Sequence, residues 1–220
     1  LPSIELLNYE ADDLIATYAK KISKIGAKVT VISSDKDLMQ LVNDKVTMLD
    51  PMKNKKIEIK DVEDKFGVKP GKVIYIQALT GDKVDNIPGA PGIGPKTASQ
   101  LINDFDNIDG LFDNLNKIKQ EKRRNVLIES EKDIRISLEL VKLKNDVKIK
   151  TDIDSIKTYS ELKKEKNNIF EFLKEQGFKS TAERLKSNNF ISDKNQITKN
   201  PNKIAPIYKL VLTKKDFETI

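Results

Sequence analysis

The chain has 220 residues, with 40 Lys and Arg against 34 Asp and Glu, a net charge of +6 and a pI near 9.1. It contains no cysteine and no histidine, which excludes disulfides, thiolate metal sites, Ser-His-Asp triads and imidazole acid–base chemistry. Any metal must be held by oxygen, which points to Mg2+ or Mn2+, and a basic balance around clustered acids makes nucleic acid the natural partner.

No apolar run approaches the roughly 20 residues that span a bilayer, and nothing reads as a signal peptide. The expectation is a soluble, cytoplasmic protein with no membrane partner. The chain opens at Leu1 within an apolar-polar pattern, so a segment of a longer protein is expected.

A helix is predicted over Ser3–Ile25, with an apolar stripe of Leu6, Leu7, Leu14, Ile15, Tyr18 and Ile22. Its early turns carry Tyr9-Glu10-Ala11-Asp12-Asp13. Acids near a helix start are mildly stabilising by themselves, but three in four residues exceed that need. Gly26 ends the helix. Lys28–Ser33 reads as a strand buried in a parallel sheet. Asp35 and Asp37 follow it, where ligands bind in open α/β sheets. A helix cap accounts for only one of the two, and Leu38–Val42 reads as a short helix. Short strands are predicted at Lys45–Leu49 and Lys56–Ile59 around Asp50-Pro51. Helices follow at Asp61–Phe66, stopped by Gly67, and at Pro70–Leu79, ended by Gly81.

Leu79–Ala98, LTGDKVDNIPGAPGIGPKTA, holds two chemistries. Asp82 and Asp85 are spaced to share one face of a helical turn. Gly92-Ile93-Gly94-Pro95-Lys96-Thr97 reads as a tight hairpin opening a helix, with Pro95 at its first position. Such a hairpin is either an ordinary turn or a cradle whose backbone N–H groups hold a phosphate. After it the pattern is helical: to Phe105, then Ile108–Leu115, Gln120–Ser130, Glu131–Leu143, Glu161–Gln176 closed by Gly177, and Ser180–Lys186. Lys122-Arg123-Arg124 is either a solvated helix face or a second contact on a duplex backbone. Residues 187–206 read as a linker, and Ile207–Leu212 as a strand opening a new unit.

Seven carboxylates thus lie at element ends on three distant segments: Glu10, Asp12, Asp13, Asp35, Asp37, Asp82 and Asp85. Converged, they would form a dense acidic bowl. Like charges ~4 Å apart repel by about 4 kcal/mol at an effective dielectric near 20, so the bowl would need cations. Two Mg2+ ions about 3.5–4 Å apart would make a two-metal phosphodiesterase.

The succession of YEADD, SSDKDLMQLV and LTGDKVDNIPGAPGIGPKTA resembles the 5′-nuclease (5′–3′ exonuclease) domains of the flap-endonuclease-like family, the kind carried by bacterial DNA polymerase I. The resemblance covers Leu1 to about Lys186. It implies an α/β fold, with a parallel-sheet, PIN-like nuclease core over 1–78 and a helical helix-hairpin-helix part over 79–186. The linker 187–206 and a proofreading-exonuclease-like start at 207–220 would follow. It implies that the seven acids bind two or more divalent metals, and that Gly89, Gly92, Ile93, Gly94, Lys96 and Thr97 grip duplex DNA without reading sequence. The implied substrate is duplex DNA with a 5′ flap or RNA primer end, cut in replication and excision repair by a bacterial, nucleoid-associated monomer. Further metal-binding acids and a basic helical arch, which the family places upstream, do not precede Leu1. The chain alone is therefore expected to be unstable or inactive. A non-catalytic hairpin DNA-binding module and a stand-alone 5′ nuclease are the alternatives.

Overall fold

The computed structural model describes residues 3–150 and 166–187. They belong to two bodies, Pro2–Ser155 and a second lying within Ile156–Ile220.

In the first body, α1 spans Ala11–Lys24 and starts later than predicted. The cause is local. Asn8 adopts φ 69°, and the Tyr9 N–H closes a turn onto the Leu6 carbonyl at 3.2 Å, so the chain reverses before it can coil. Glu10 becomes the extended residue preceding the helix, and Asp12 and Asp13 lie in the first turn, where the helix dipole favours negative charge.

Strand β1 (Val29–Ile32) runs parallel to β2 (Val46–Asp50), with Val29 opposite Val46 and Ile32 opposite Leu49. Strand β3 (Lys55–Ile57) returns antiparallel, pairing Ile57 with Met48. The sheet is therefore mixed, in the order β1-β2-β3. The β2–β3 turn is held by Asp50, whose Oδ1 accepts the N–H groups of Met52 at 2.9 Å and Lys53 at 3.1 Å. β1 is less buried than predicted, because it pairs on one edge only among the described residues. Val31 is buried, whereas Ile32 is 67% exposed.

The predicted short helix after β1 is a 3-10 turn, Asp37–Leu41, which buries Leu38 and Met39. Helix α2 (Ile59–Phe66) ends at Gly67, left-handed at φ 71°, a conformation glycine adopts without Cβ strain. The predicted Pro70 helix divides into a 3-10 turn, Pro70–Lys72, and α3 (Val73–Thr80). α3 is apolar nearly throughout and packs against the later helices α4 (Pro95–Phe105) and α7 (Glu131–Val141). Its Ile76 and Leu79 are fully buried, so truncating either to Ala is expected to cost about 2–5 kcal/mol. Between α4 and α7 come α5 (Ile108–Asp113), a 3-10 turn at Leu115–Lys117 and α6 (Glu121–Glu129).

α1 also anchors the segment after α7. Buried Thr17 accepts the Val147 N–H at 3.2 Å and donates to the Lys144 carbonyl at 3.4 Å. The second body contains α8 (Lys166–Glu175) and α9 (Lys179–Ser187). Gly177, at φ 74°, closes α8, and the Phe178 N–H reaches back to the Leu173 carbonyl at 2.8 Å. The predicted start of the α8 helix, the linker and the strand at Ile207 lie outside the described residues.

Candidate metal and nucleic-acid site

The acids predicted on three segments affect one another. The Asp12 carboxyl is held above its ordinary range, first by burial and then by Asp35, Asp37, Glu10 and Asp13. Asp37 is raised first by burial, then by Asp35; Asp85 and Asp82 add to the rise and Lys36 opposes it. Repulsion and desolvation both disfavour a carboxylate. Asp12, Asp35 and Asp37 therefore share one field, and the Asp82 and Asp85 loop reaches it through Asp37. Asp13 faces elsewhere: its Oδ1 accepts the Lys144 N–H at 2.8 Å and fixes the segment after α7.

Local structure sets each position. After β1, Ser33 Oγ accepts the Asp35 N–H at 3.0 Å, and Asp35 Oδ1 accepts the Asp37 N–H at 2.9 Å. The acids of this loop shape its backbone as well as charging it. Asp82 and Asp85 do not sit on a helical turn, contrary to their spacing. Gly81, at φ 66°, ends α3. Asp82 and Ile87 then pair across a closed loop, Asp82 N–H to Ile87 carbonyl at 2.9 Å and Ile87 N–H to Asp82 carbonyl at 2.7 Å. Asn86 turns the loop at φ 55°, and Asp82 Oδ1 accepts the Val84 N–H at 2.8 Å.

The expected bowl is open rather than dense. Among the described residues, no three acids come close enough to hold a metal ion as a preformed group. Two residues outside the expected ligand set stand between the segments. Lys36 places its Nζ 2.5 Å from Asp82 Oδ2. That bond holds the Asp82 carboxyl below its ordinary range and raises the Lys36 ammonium. Gln77 donates from Nε2 to Asp37 Oδ1 at 2.5 Å. Both had a signal in the sequence: a cation inside an acidic motif, and a lone amide amid an apolar helix. Every group there able to ligate a cation through a carboxylate offers oxygen, and the carboxylates repel one another in the absence of a counter-ion. That set fits a hard divalent cation.

The hairpin divides into two parts. Gly89 is buried and its backbone lies on Gly81: a Cβ on Gly89 would fall 2.4 Å from the Gly81 nitrogen. Its N–H donates to the Oγ of buried Ser137 at 3.0 Å. Gly89 thus serves the interior, and its N–H is not offered to a ligand. Ile93 is likewise buried, and its N–H bonds the Ala90 carbonyl at 3.1 Å. Gly92 and Gly94 are different, because a Cβ added at either would meet no atom within 4 Å. Gly94 precedes α4 in extended conformation and Pro95 opens the helix. Among the described residues, no partner satisfies the N–H groups of Gly92, Gly94, Lys96 or Thr97. Unpaired donors at a helix start form an anion site. In the basic triplet, Arg124 donates to the Ile118 carbonyl at 3.2 Å, while Arg123 lines a groove with Lys117 and Lys119.

An α/β body with carboxylates gathered at its element ends, running into a hairpin that opens a helix, defines a nuclease-type architecture. Two family models match in succession: "5′-3′ exonuclease, N-terminal resolvase-like domain" over residues 1–67, and "5′-3′ exonuclease, C-terminal SAM fold" over residues 68–165. The chain belongs to the 5′–3′ exonuclease family. It is 51% identical over 156 residues to a DNA polymerase I of Rhizobium leguminosarum, covering 71% of the chain and 15% of that protein. It is 40% identical over 157 residues to a 5′-3′ exonuclease of Aquifex aeolicus, covering 71% and 53%. The chain thus spans about half or less of these relatives. Among solved structures, T5 5′-exonuclease superposes with a TM-score of 0.61 at 30% identity, over 66% of this chain and 59% of that one. The T5 D15 flap endonuclease, described as a pseudo-enzyme-product complex with DNA and metal ions, matches with the same score over 53% of its length.

Proposed function

We propose that this chain is part of a structure-specific 5′ nuclease that hydrolyses phosphodiester bonds in duplex DNA bearing a 5′ flap or primer end. The observation that carries the reading is the shared electrostatic field of Asp12, Asp35 and Asp37, extended by Asp82 and Asp85. These acids come from three segments, and burial and neighbouring acids penalise the charged state of Asp12 and Asp37 until a cation arrives. Asp12, Asp35, Asp37, Asp82 and Asp85 would hold divalent cations, with Glu10 and Asp13 at the margin. Mg2+ is the expected ion and Mn2+ the alternative. Such ions supply Lewis acidity to a site that has no histidine to move protons.

The residues of the chain do the rest. Gly92, Gly94, Lys96 and Thr97 present unpaired N–H groups to one backbone phosphate, which positions the duplex without reading its sequence. The closed Asp82–Ile87 loop leads from the acids into that hairpin, so the distance between phosphate grip and acids is set by backbone hydrogen bonds. We assign residues 1–78 to the α/β core and 79–186 to the DNA-gripping helical part, with 187–206 as linker and 207–220 as the start of a further domain. The protein would act as a cytoplasmic bacterial monomer in replication and repair, within a DNA polymerase I. The T5 structure with DNA and metal ions supports the DNA substrate class and a metal cofactor. Assay of the intact protein on a 5′-flap duplex tests the reading. Asp37→Asn and the Asp82→Asn, Asp85→Asn pair should each abolish cleavage while leaving DNA binding within a few-fold. Undiminished cleavage by both variants would sink it.

A further inference from the structure

Gln77 lies between Ile76 and Ala78, two buried apolar residues of α3. Its amide couples α3, which leads into the Asp82 loop, to the acidic loop after β1. Nε2 donates to Asp37 Oδ1 at 2.5 Å, while Asp37 Oδ2 accepts no hydrogen bond among the described residues. Asp37 also fixes which way the amide faces, since the opposite orientation would set a carbonyl oxygen against a carboxylate oxygen. With the donor so engaged, Gln77 Oε1 is buried and accepts no hydrogen bond. A buried carbonyl oxygen without a donor is uncommon and destabilising. Gln77 also borders a cavity of about 370 Å3, shared with Asp37, Asp82, Lys36 and Thr80.

On the nuclease reading above, these facts combine. We infer that Gln77 is a positioning residue for the acidic site: its Nε2 holds Asp37 Oδ1 and leaves Oδ2 free to serve a divalent cation. The inference gives the isolated amide of α3 a task that outweighs the cost of its orphaned oxygen. Outer groups that orient metal ligands are commonly worth about 10–100-fold in metal affinity or activity.

Calorimetric titration of the intact protein with Ca2+, in the absence of DNA, tests this without relying on turnover. Gln77→Leu should weaken Ca2+ binding about tenfold or more. It should lower kcat on a flap substrate by a similar factor and leave KM for DNA within about twofold of the unsubstituted protein, as expected for a group acting on the metal and not on the duplex. The melting temperature should not fall, since the orphaned carbonyl is gone. Gln77→Met provides the same comparison if leucine disturbs the packing of α3. Ca2+ affinity and kcat unchanged in both variants would overturn the inference and leave the nuclease reading standing. If the unsubstituted protein bound no divalent cation, the metal-site reading itself would fail.

Discussion

The chain between α3 and α4 contains two glycine pairs built in opposite ways. Gly81 and Gly89 lie backbone against backbone, both at positive φ, with no room for a Cβ at either, and Gly89 is bonded to the interior through Ser137. Gly92 and Gly94, a few residues on, face open space and leave their N–H groups unpaired among the described residues. In the first pair the missing side chain lets two stretches of backbone touch. In the second it leaves room for something else to approach. The same residue type therefore fixes the loop at one end and exposes it at the other, and only the neighbours distinguish the two roles.

Alanine substitution should separate them most sharply. In Gly89→Ala the new Cβ would fall 2.4 Å from the Gly81 nitrogen and 2.7 Å from its Cα, at a φ of +60°. Neither neighbour is a flexible side-chain end, so the backbone must shift. A loss of about 3 kcal/mol or more is expected, or ~6–12 °C in Tm, together with loss of cleavage. Gly92→Ala meets no atom and bears only the strain of φ +77°, about 1–2 kcal/mol. Gly94→Ala, at φ −90°, should leave Tm unchanged and weaken duplex binding several-fold by filling the approach to the phosphate. Equal melting temperatures for the Gly89 and Gly94 variants would erase the distinction.

Next in size is a test on the acids themselves. A carboxyl whose folded pKa is raised, as for Asp12 and Asp37, contributes stability that is full below its ordinary value of 3.8. That contribution is lost as pH rises through the higher folded value. Asp82 runs the other way: its lowered pKa gives stability present above 3.8 and lost as pH falls through the folded value. At neutral pH without metal, Asp12 is therefore a burden. Asp12→Asn should raise Tm in EDTA by ~2 °C, a gain of under about 1 kcal/mol after solvent screening. It should remove most of the stabilisation that Mg2+ confers. Thermal melts with and without Mg2+, repeated near pH 5 and pH 7.5, give the check. The gain must be larger at the higher pH.

How far the sequence reveals this arrangement depends on the kind of signal. Helix ends marked by a glycine, such as Gly67 and Gly177, or opened by Pro95, are local and were legible. That seven acids cluster in three short motifs was legible. Their mutual geometry was not. Asp82 and Asp85 have helical spacing, yet Gly81 ends α3 and the Asp82–Ile87 bridge folds them into a loop. The start of α1 was misplaced because a left-handed Asn8 overrides an apolar pattern that looks helical. Gly89 looked like part of the phosphate cradle until Ser137, 48 residues away, claimed its N–H. Such contacts between distant parts of the chain leave no trace in local spacing.

Lys36 supplies a smaller test of the acidic side. Its ammonium partners Asp82 from a half-exposed position, so the pair itself contributes less than about 1 kcal/mol. Its larger influence is on a competing cation. Removing one positive charge beside the acids should tighten divalent-cation binding severalfold, because a like charge near ~4 Å still repels appreciably in a watery environment. In Lys36→Met, the Mg2+ concentration giving half-maximal stabilisation should therefore fall, with Tm in EDTA slightly reduced. An unchanged Mg2+ midpoint combined with weaker DNA binding would assign Lys36 to the substrate.

The smallest expected effect lies on the open side of the loop. Lys96 stands in the first turn of α4, exposed and without an ion pair among the described residues. A phosphate contact from its ammonium would release about one counter-ion on binding, so Lys96→Ala should lower the slope of log K against log salt by about one. The loss should be the same on unrelated duplex sequences, since a phosphate contact carries no base information. Tm should not change, because the side chain packs against nothing that the fold requires. A reduced affinity with an unchanged salt slope would move the phosphate grip from Lys96 to the neutral N–H groups of Gly92, Gly94 and Thr97.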